Sequence, residues 1–225
     1  MVGLADIEAV VAGDGLAVTG AFHPEPGEAP EGVRTLCMLG ADGPAMWAVF
    51  SAGPEAKDGG RDPLDRWSAR VIGRAAEELG GHAFFPFGGP PWQPFMAWAK
   101  RAEGAASSPL GMVVTASRGL MASWRGALGF AERVDLSALE PPAPPLEQPP
   151  CAACAAPCET SCPVGAFGAD GYAADSCAAY VASAEGLACR TGGCLARRAC
   201  PQNIVLPEAQ SAFHLAAFVA GRTGR

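Results

Sequence analysis

Apolar positions change period several times along the first 130 residues. Residues 3–12 carry them at helical spacing, and so does Pro44–Ala52, with Trp47 and Phe50 on its apolar side. Gly15–Phe22 and Val33–Leu39 are short apolar runs bounded by turn-forming residues, the pattern of strands, the second of them buried. The strongest periodicity predicts a helix after Asp62. There Leu64, Trp67, Val71, Ala75 and Leu79 recur every three or four residues, while Arg66, Arg70, Arg74, Glu77 and Glu78 take the other side. Asp62 is placed to cap this helix, Pro63 to open it and Gly80-Gly81 to end it.

Farther on, His82–Phe87 predicts a short strand, Gly88–Pro91 a turn, and Phe95–Arg101 a helix carrying Met96, Trp98 and Ala99. Leu110–Ala116 and Met121–Phe130 read as a strand pair around Ser117-Arg118-Gly119. Helices alternating with strands imply a layered α/β domain over residues 1–140. Six of the ten residues in 141–150 are proline, which makes that stretch an extended linker and a domain boundary. Beyond it, Ala173–Ala184 and Glu208–Gly221 are expected to be helical, the latter with Phe213, Ala216, Ala217 and Ala220 on one face.

Eight of the nine cysteines fall between Cys151 and Pro201. Cys151, Cys154, Cys158 and Cys162-Pro163 form a C-x2-C-x3-C-x3-C-P run; Cys177, Cys189, Cys194 and Cys200-Pro201 form the second group. A bacterial ferredoxin run is C-x2-C-x2-C-x3-C-P, and its fourth cysteine serves the other of two clusters. This chain differs by one extra residue, Pro157. Crossing over then assigns Cys151, Cys154, Cys158 and Cys200 to one [4Fe-4S] cluster and Cys162, Cys177, Cys189 and Cys194 to another. The Asp170-Gly171 turn pair gives a hairpin-like layout between ligands. Disulfides and structural zinc are the competing readings. The first is disfavoured because residues 1–20, with Asp6, Glu8 and Asp14, show no secretory signal; the second because Cys189, Cys194 and Cys200 do not supply a second C-x2-C knuckle. Cys37, in an apolar run, is expected to be a small buried hydrophobe.

The fold class is therefore α+β: a layered N-terminal α/β domain, then a small ferredoxin-like two-cluster domain over 151–225. Hydrophobic residues make up 49% and charged residues 17%, which fits a globular chain and not a disordered one. No apolar run has the roughly 18 residues of a membrane span, so a soluble, cytoplasmic protein is expected. The net charge of −7, with Lys57 and Lys100 the only lysines, argues against a nucleic-acid partner. His23, His82 and His214 are isolated, and no nucleotide-binding glycine motif occurs. Gly88 and Gly89 are weak candidates for close approach of a bound cofactor, since a proline-flanked turn explains them equally well. Arg197-Arg198 is a local anchor for an anion or partner at most.

An α/β domain followed by crossed ferredoxin-type motifs resembles epoxyqueuosine reductase and the reductive dehalogenases, which are cobalamin-dependent iron–sulfur enzymes. Gly60-Arg61-Asp62 is similar to the start of that family's G-R-D-Y-H segment, Cys177-Ala-Ala-Tyr180 to its C-x-x-Y, and Gly193-Cys194 to Asn203 to its last cysteine block. That block is one residue shorter here, with Arg197 near the place of its middle cysteine, and Cys189 takes the missing ligand's place; Gly88 stands where the family has its proposed acid. The resemblance implies two [4Fe-4S] clusters, with cobalamin as a further cofactor, on a scaffold without the acid that epoxide reduction needs. The leading expectation is an iron–sulfur redox protein passing single electrons to a partner protein, a small-molecule substrate or a site in its α/β domain. A corrinoid-dependent reductase is the alternative, and a metal-stabilised interaction module the third reading.

Overall fold

The structure is a computed structural model that describes residues 2–139 and 150–223, so the proline-rich 141–150 stretch, apart from Pro150, lies outside the described residues. The chain divides into two units, Met1–Ala105 with Ser123–Leu146, and Ala106–Ala122 with Glu147–Arg225. Ala106–Ala122, which the sequence reading grouped with the N-terminal domain, thus belongs with the cysteine-rich half.

The first unit runs α1 (Leu4–Ala12), β1 (Leu16–Phe22), β2 (Thr35–Ala41), α2 (Gly43–Ala52), α3 (Pro63–Leu79), β3 (His82–Phe84) and α4 (Phe95–Glu103). After the excursion through β4 (Ala106–Ser107) and β5 (Val113–Val114) of the second unit, β6 (Trp124–Phe130) completes its sheet. The sheet order is β1-β2-β6-β3, antiparallel at every pairing. Alternation of helix and strand along the sequence therefore does not produce a parallel sheet, and the class is α+β. The expected β5–β6 hairpin does not form either. β5 pairs with β4, Thr115 bridges Gly119, and β6 pairs with β2 and β3.

Two glycines set the layers. A Cβ on Gly20 of β1 would lie 2.5 Å from the Ala102 carbonyl oxygen of α4, and one on Gly126 of β6 would lie 2.7 Å from Ile72 of α3. Gly20 pairs with Met38 and Gly126 with Leu39, neighbours on β2 whose side chains point to opposite faces. So α4 covers one face and α3 the other. Phe84 meets Trp98 of α4 edge-on at 6.0 Å, and the Trp98 indole donates to the Glu28 carbonyl at 2.6 Å. On the other face Arg125 of β6 is buried beneath α3, donating to Ser68 Oγ at 3.1 Å and to Asp65 at 2.7 Å. Burial holds its guanidinium below the usual range, and Asp65 works against that shift.

Other expectations are refined by packing. α3 spans the predicted residues and ends at Gly80 in the left-handed region, but Asp62 itself has φ 48° and makes no side-chain cap. In that conformation its carbonyl, not its carboxylate, accepts the first bond, from Arg66 N–H at 3.0 Å. Arg66 also ties the preceding loop down through paired 2.7 Å bonds to Asp58. Met96 of α4 is 54% exposed, while Phe95, Trp98, Ala99 and Ala102 turn inward.

The second unit continues with α5 (Pro157–Thr160), β7 (Phe167–Gly168), β8 (Gly171–Tyr172), α6 (Ala174–Ala182), α7 (Leu187–Gly192), α8 (Leu195–Arg198) and α9 (Glu208–Thr223). The β7–β8 turn is Ala169-Asp170, one residue earlier than the pair that composition suggested, because Gly168 and Gly171 close it. On α9 the alanines at 216, 217 and 220 face outward, and Gln210 and Ser211 are buried instead. Polar side chains occupy that seam, so apolar periodicity misplaced it. Among the described residues, no helix is long and apolar enough to cross a membrane.

Replacing Gly20 with Ala drives a methyl into the α4 backbone and is expected to cost about 1–3 kcal/mol, read as a lower urea midpoint. Met96→Ser, on the exposed side of the same helix, should stay within about 0.5 kcal/mol.

Candidate metal centres

All nine cysteines are free thiols. Eight of them line two cavities of the second unit. Cys151, Cys154, Cys158 and Cys200 lie in the wall of a cavity of about 340 Å³, and Cys162, Cys177, Cys189 and Cys194 in that of a tighter one of about 20 Å³. The grouping follows the crossed sharing inferred from spacing. Among the described residues, no three His, Cys, Asp or Glu side chains converge as a ready single-ion site. A tetrahedral zinc would hold four thiolates on the order of 4 Å from one another, given sulfur ligands about 2.3 Å from the ion. The first set lines an open space, whereas the second encloses room for about one water.

Local chain geometry explains the first run. Cys154 N–H donates to the Cys151 carbonyl at 3.2 Å, forming a turn; Ala156 then takes φ 48°, which lets its own N–H donate to Cys154 Sγ at 3.4 Å. A left-handed alanine is costly and marks a demand on the backbone. Pro157, the residue that a ferredoxin run lacks, sits where a helix tolerates proline and opens α5, the single turn carrying Cys158. After Cys162-Pro163 the chain turns back, Gly165 N–H reaching the Cys162 carbonyl at 3.1 Å and Ala166 N–H the Cys162 sulfur at 3.3 Å. That reversal separates Cys162 from the three cysteines before it.

The later cysteines of the second set come from three helices. α6 carries Cys177, α7 carries Cys189, and Cys194 precedes α8 at its N-cap position. α8 therefore starts at the second cavity, and Cys200, two residues past its end, belongs to the first. Ala196, fully buried on α8, lines the second cavity and packs in the apolar cluster of Leu110, Val114, Leu120 and Cys158 that backs the first. Leu110, Val114 and Leu120 come from residues 106–122, and Ser108, Val114 and Leu120 line the larger cavity. Two bonds fix that segment to the last cysteine block: Arg197 Nε donates to the Leu120 carbonyl at 2.8 Å, and Leu120 N–H donates to Asn203 Oδ1 at 2.8 Å. This wall was missed in the sequence because Leu110–Ala116 has an ordinary strand composition and nothing local ties it to cysteines 40 residues away.

Burial opposes ionisation of Cys151, Cys158 and Cys194. Burial raises the Cys151 thiol, and the neighbouring Cys200, Cys158 and Cys154 raise it further; burial likewise leads for Cys158, with Cys200 and Cys154 adding to it. Cys194 is raised by burial too, against the pull of the Arg197 and Ala196 N–H groups and the Arg197 guanidinium. A bound metal reverses this balance, since a coordinating thiol is deprotonated outright. Donor set, cavity and N–H groups aimed at sulfur thus fit a cationic sulfur-ligated centre.

The remaining predicted residues lie elsewhere. Gly88 has φ 80° in an exposed turn, a Cβ on Gly89 would strike Trp92, and neither glycine lines either cavity. His23 Nε2 pairs with the Val134 carbonyl at 3.0 Å and its Nδ1 with Arg133 at 2.8 Å, a structural arrangement. The chain matches no protein-family model, no curated protein and no solved structure.

Cys37 stands apart in the core of the first unit, fully buried, with its thiol pushed up to about 12 by burial. Because the unfolded thiol ionises near its ordinary value of 9.0, this difference leaves stability intact below that pH and erodes it as pH rises from 9 toward 12. Cys37 should resist alkylation in the folded protein at pH 9 and react on unfolding. The loss of unfolding free energy above pH 9 should be shallower in Cys37→Ala.

Proposed function

We propose that the protein is an iron–sulfur redox protein that binds two [4Fe-4S] clusters and transfers single electrons to a partner or to a site in its first unit. The observation that carries this reading is the division of eight thiols into two sets of four around separate cavities, each set including one cysteine from the other run. When bound, such clusters supply one-electron chemistry at potentials set by burial and by hydrogen bonds to sulfur. Cys151, Cys154, Cys158 and Cys200 would hold one cluster, and Cys162, Cys177, Cys189 and Cys194 the other.

The chain's own groups do the rest. Ala156 N–H and Ala166 N–H donate to one cysteine sulfur in each set, Cys154 and Cys162, and so favour added negative charge there. The buried Arg197 guanidinium beside Cys194 acts in the same direction at the second set. Ala196 of α8, wholly enclosed, lines the second cavity and packs in the apolar cluster that backs the first, so packed protein lies between the two sets. The first cavity has room beyond a few waters, whereas the second has room for about one, a water needing roughly 10–15 Å³. Loading the second set therefore requires its side chains to part, and metal binding and folding are coupled there.

Iron, sulfide, zinc and cobalt determined on protein purified without oxygen, from cells given cobalamin, test the reading. About eight iron per chain with matching sulfide and no cobalt is the expected result. Stoichiometric cobalt beside the iron would make the protein a corrinoid-dependent reductase, and zinc in place of iron would overturn the redox assignment. With limiting iron, the first set should fill before the second; Cys154→Ser should then lower iron at the first stage of reconstitution and Cys177→Ser only at the second.

A further inference from the structure

Three cysteines of the first set are placed by short-range turns: Cys154 N–H bonds the Cys151 carbonyl at 3.2 Å, and Cys158 sits on the helical turn that Pro157 opens. Cys200 comes from far along the chain, and its main chain is held on both sides. Cys200 N–H donates to the Arg197 carbonyl at 3.2 Å, and the Cys200 carbonyl accepts from Asn203 N–H at 3.1 Å. The Asn203 side chain closes the same turn, its Nδ2 donating to the Arg197 carbonyl. Its Oδ1 is left for the neighbouring segment and accepts from Leu120 N–H at 2.8 Å.

Asn203 thus joins two walls of one cavity. Val114 and Leu120 line it from residues 106–122, and Cys200, Pro201 and Gln202 line it from the last cysteine block. The join is close. Gly119 has φ 54°, and a Cβ there would lie 2.5 Å from Asn203 Oδ1 and 2.8 Å from the Asn203 nitrogen. The turn that presents Gly119 is closed on itself, Thr115 N–H bonding the Gly119 carbonyl at 3.2 Å and Gly119 N–H the Thr115 carbonyl at 3.0 Å. A primary amide suits this place because it supplies a donor and an acceptor at once, whereas a carboxylate only accepts. The second set is placed by other contacts: Cys162 by the reversal held at Gly165, and Cys177, Cys189 and Cys194 by α6, α7 and the start of α8.

Resting on the two-cluster reading, we propose that Asn203 is a positioning residue for the first centre, its amide holding Cys200 and the wall at Val114 and Leu120 in the arrangement that completes the first set. Without the amide, three thiols stay together and the fourth is unplaced, so the first centre is lost while the second is kept.

Asn203→Ala tests this by iron and sulfide content together with a potentiometric titration of the anaerobic protein. Against about eight iron in the parent chain, about four are expected, with one potential lost and the other unmoved. The surviving potential should disappear when Cys177→Ser is added, and adding Cys154→Ser should remove no further iron. Full iron with both potentials unchanged would overturn the role of Asn203 while leaving the two-cluster reading intact. Equal loss from both sets in folded Asn203→Ala would make the residue structural and also overturn it. Should Asn203→Ala fail to fold, Asn203→Asp, which keeps the acceptor for Leu120 N–H, is read by the same count: selective loss of the first centre upholds the role, and any other result overturns it. A parent chain without iron would remove both readings together.

Discussion

Eight thiols line two cavities, four to each, although the chain visits them out of order, and the turns and short helices of the second unit bring this about. The first run delivers three cysteines to one cavity and must then turn away before the fourth. The reversal after Cys162-Pro163, held by N–H bonds from Gly165 and Ala166, does this. The return is made by α8, short enough that Cys194 before it and Cys200 after it fall in different sets. Left-handed Ala156 and the added Pro157 are local adjustments to the same arrangement, since together they bring Cys158 onto a helical turn beside Cys154.

The two units are stabilised differently. The largest fully buried side chains, Trp67, Trp98 and Phe50 among them, all belong to the first unit. Its antiparallel sheet is covered on both faces, with Gly20 and Gly126 permitting close helix approach. The second unit has a thin apolar cluster of Leu110, Val114, Leu120, Cys158 and Ala196, and several of its enclosed groups are thiols that resist ionisation. A small domain with so little apolar core depends on cross-links or metal. Under the proposed function, ligation by the free thiols would supply that support.

That dependence also explains the strap at 106–122. Leu110, Val114 and Leu120 supply apolar wall that residues 150–223 lack, and Arg197 and Asn203 satisfy the strap's backbone at Leu120. Arg197 thereby has two tasks, bonding Leu120 and placing positive charge beside Cys194. Its burial is tolerable because both a carbonyl and a thiol face it.

The helix after Asp62, the two central strands, the burial of Cys37 and the division of the cysteines were legible in the sequence because each rests on local periodicity or short spacing. A 17-residue amphipathic helix between proline and glycine has little alternative, and the short spacing of Cys151, Cys154 and Cys158 keeps those three together. Strand direction, the pairing of β5 with β4, the outward turn of Met96 and of the α9 alanines, and the service of residues 106–122 to the cysteine unit were decided by tertiary structure. Each depends on which surface a segment meets, and an apolar strand such as Val113–Val114 carries no mark of its partner. The sequence by itself determined which atoms could act as ligands; only the fold decided what walls enclose them, because packing joins residues whose separation along the chain no local pattern records.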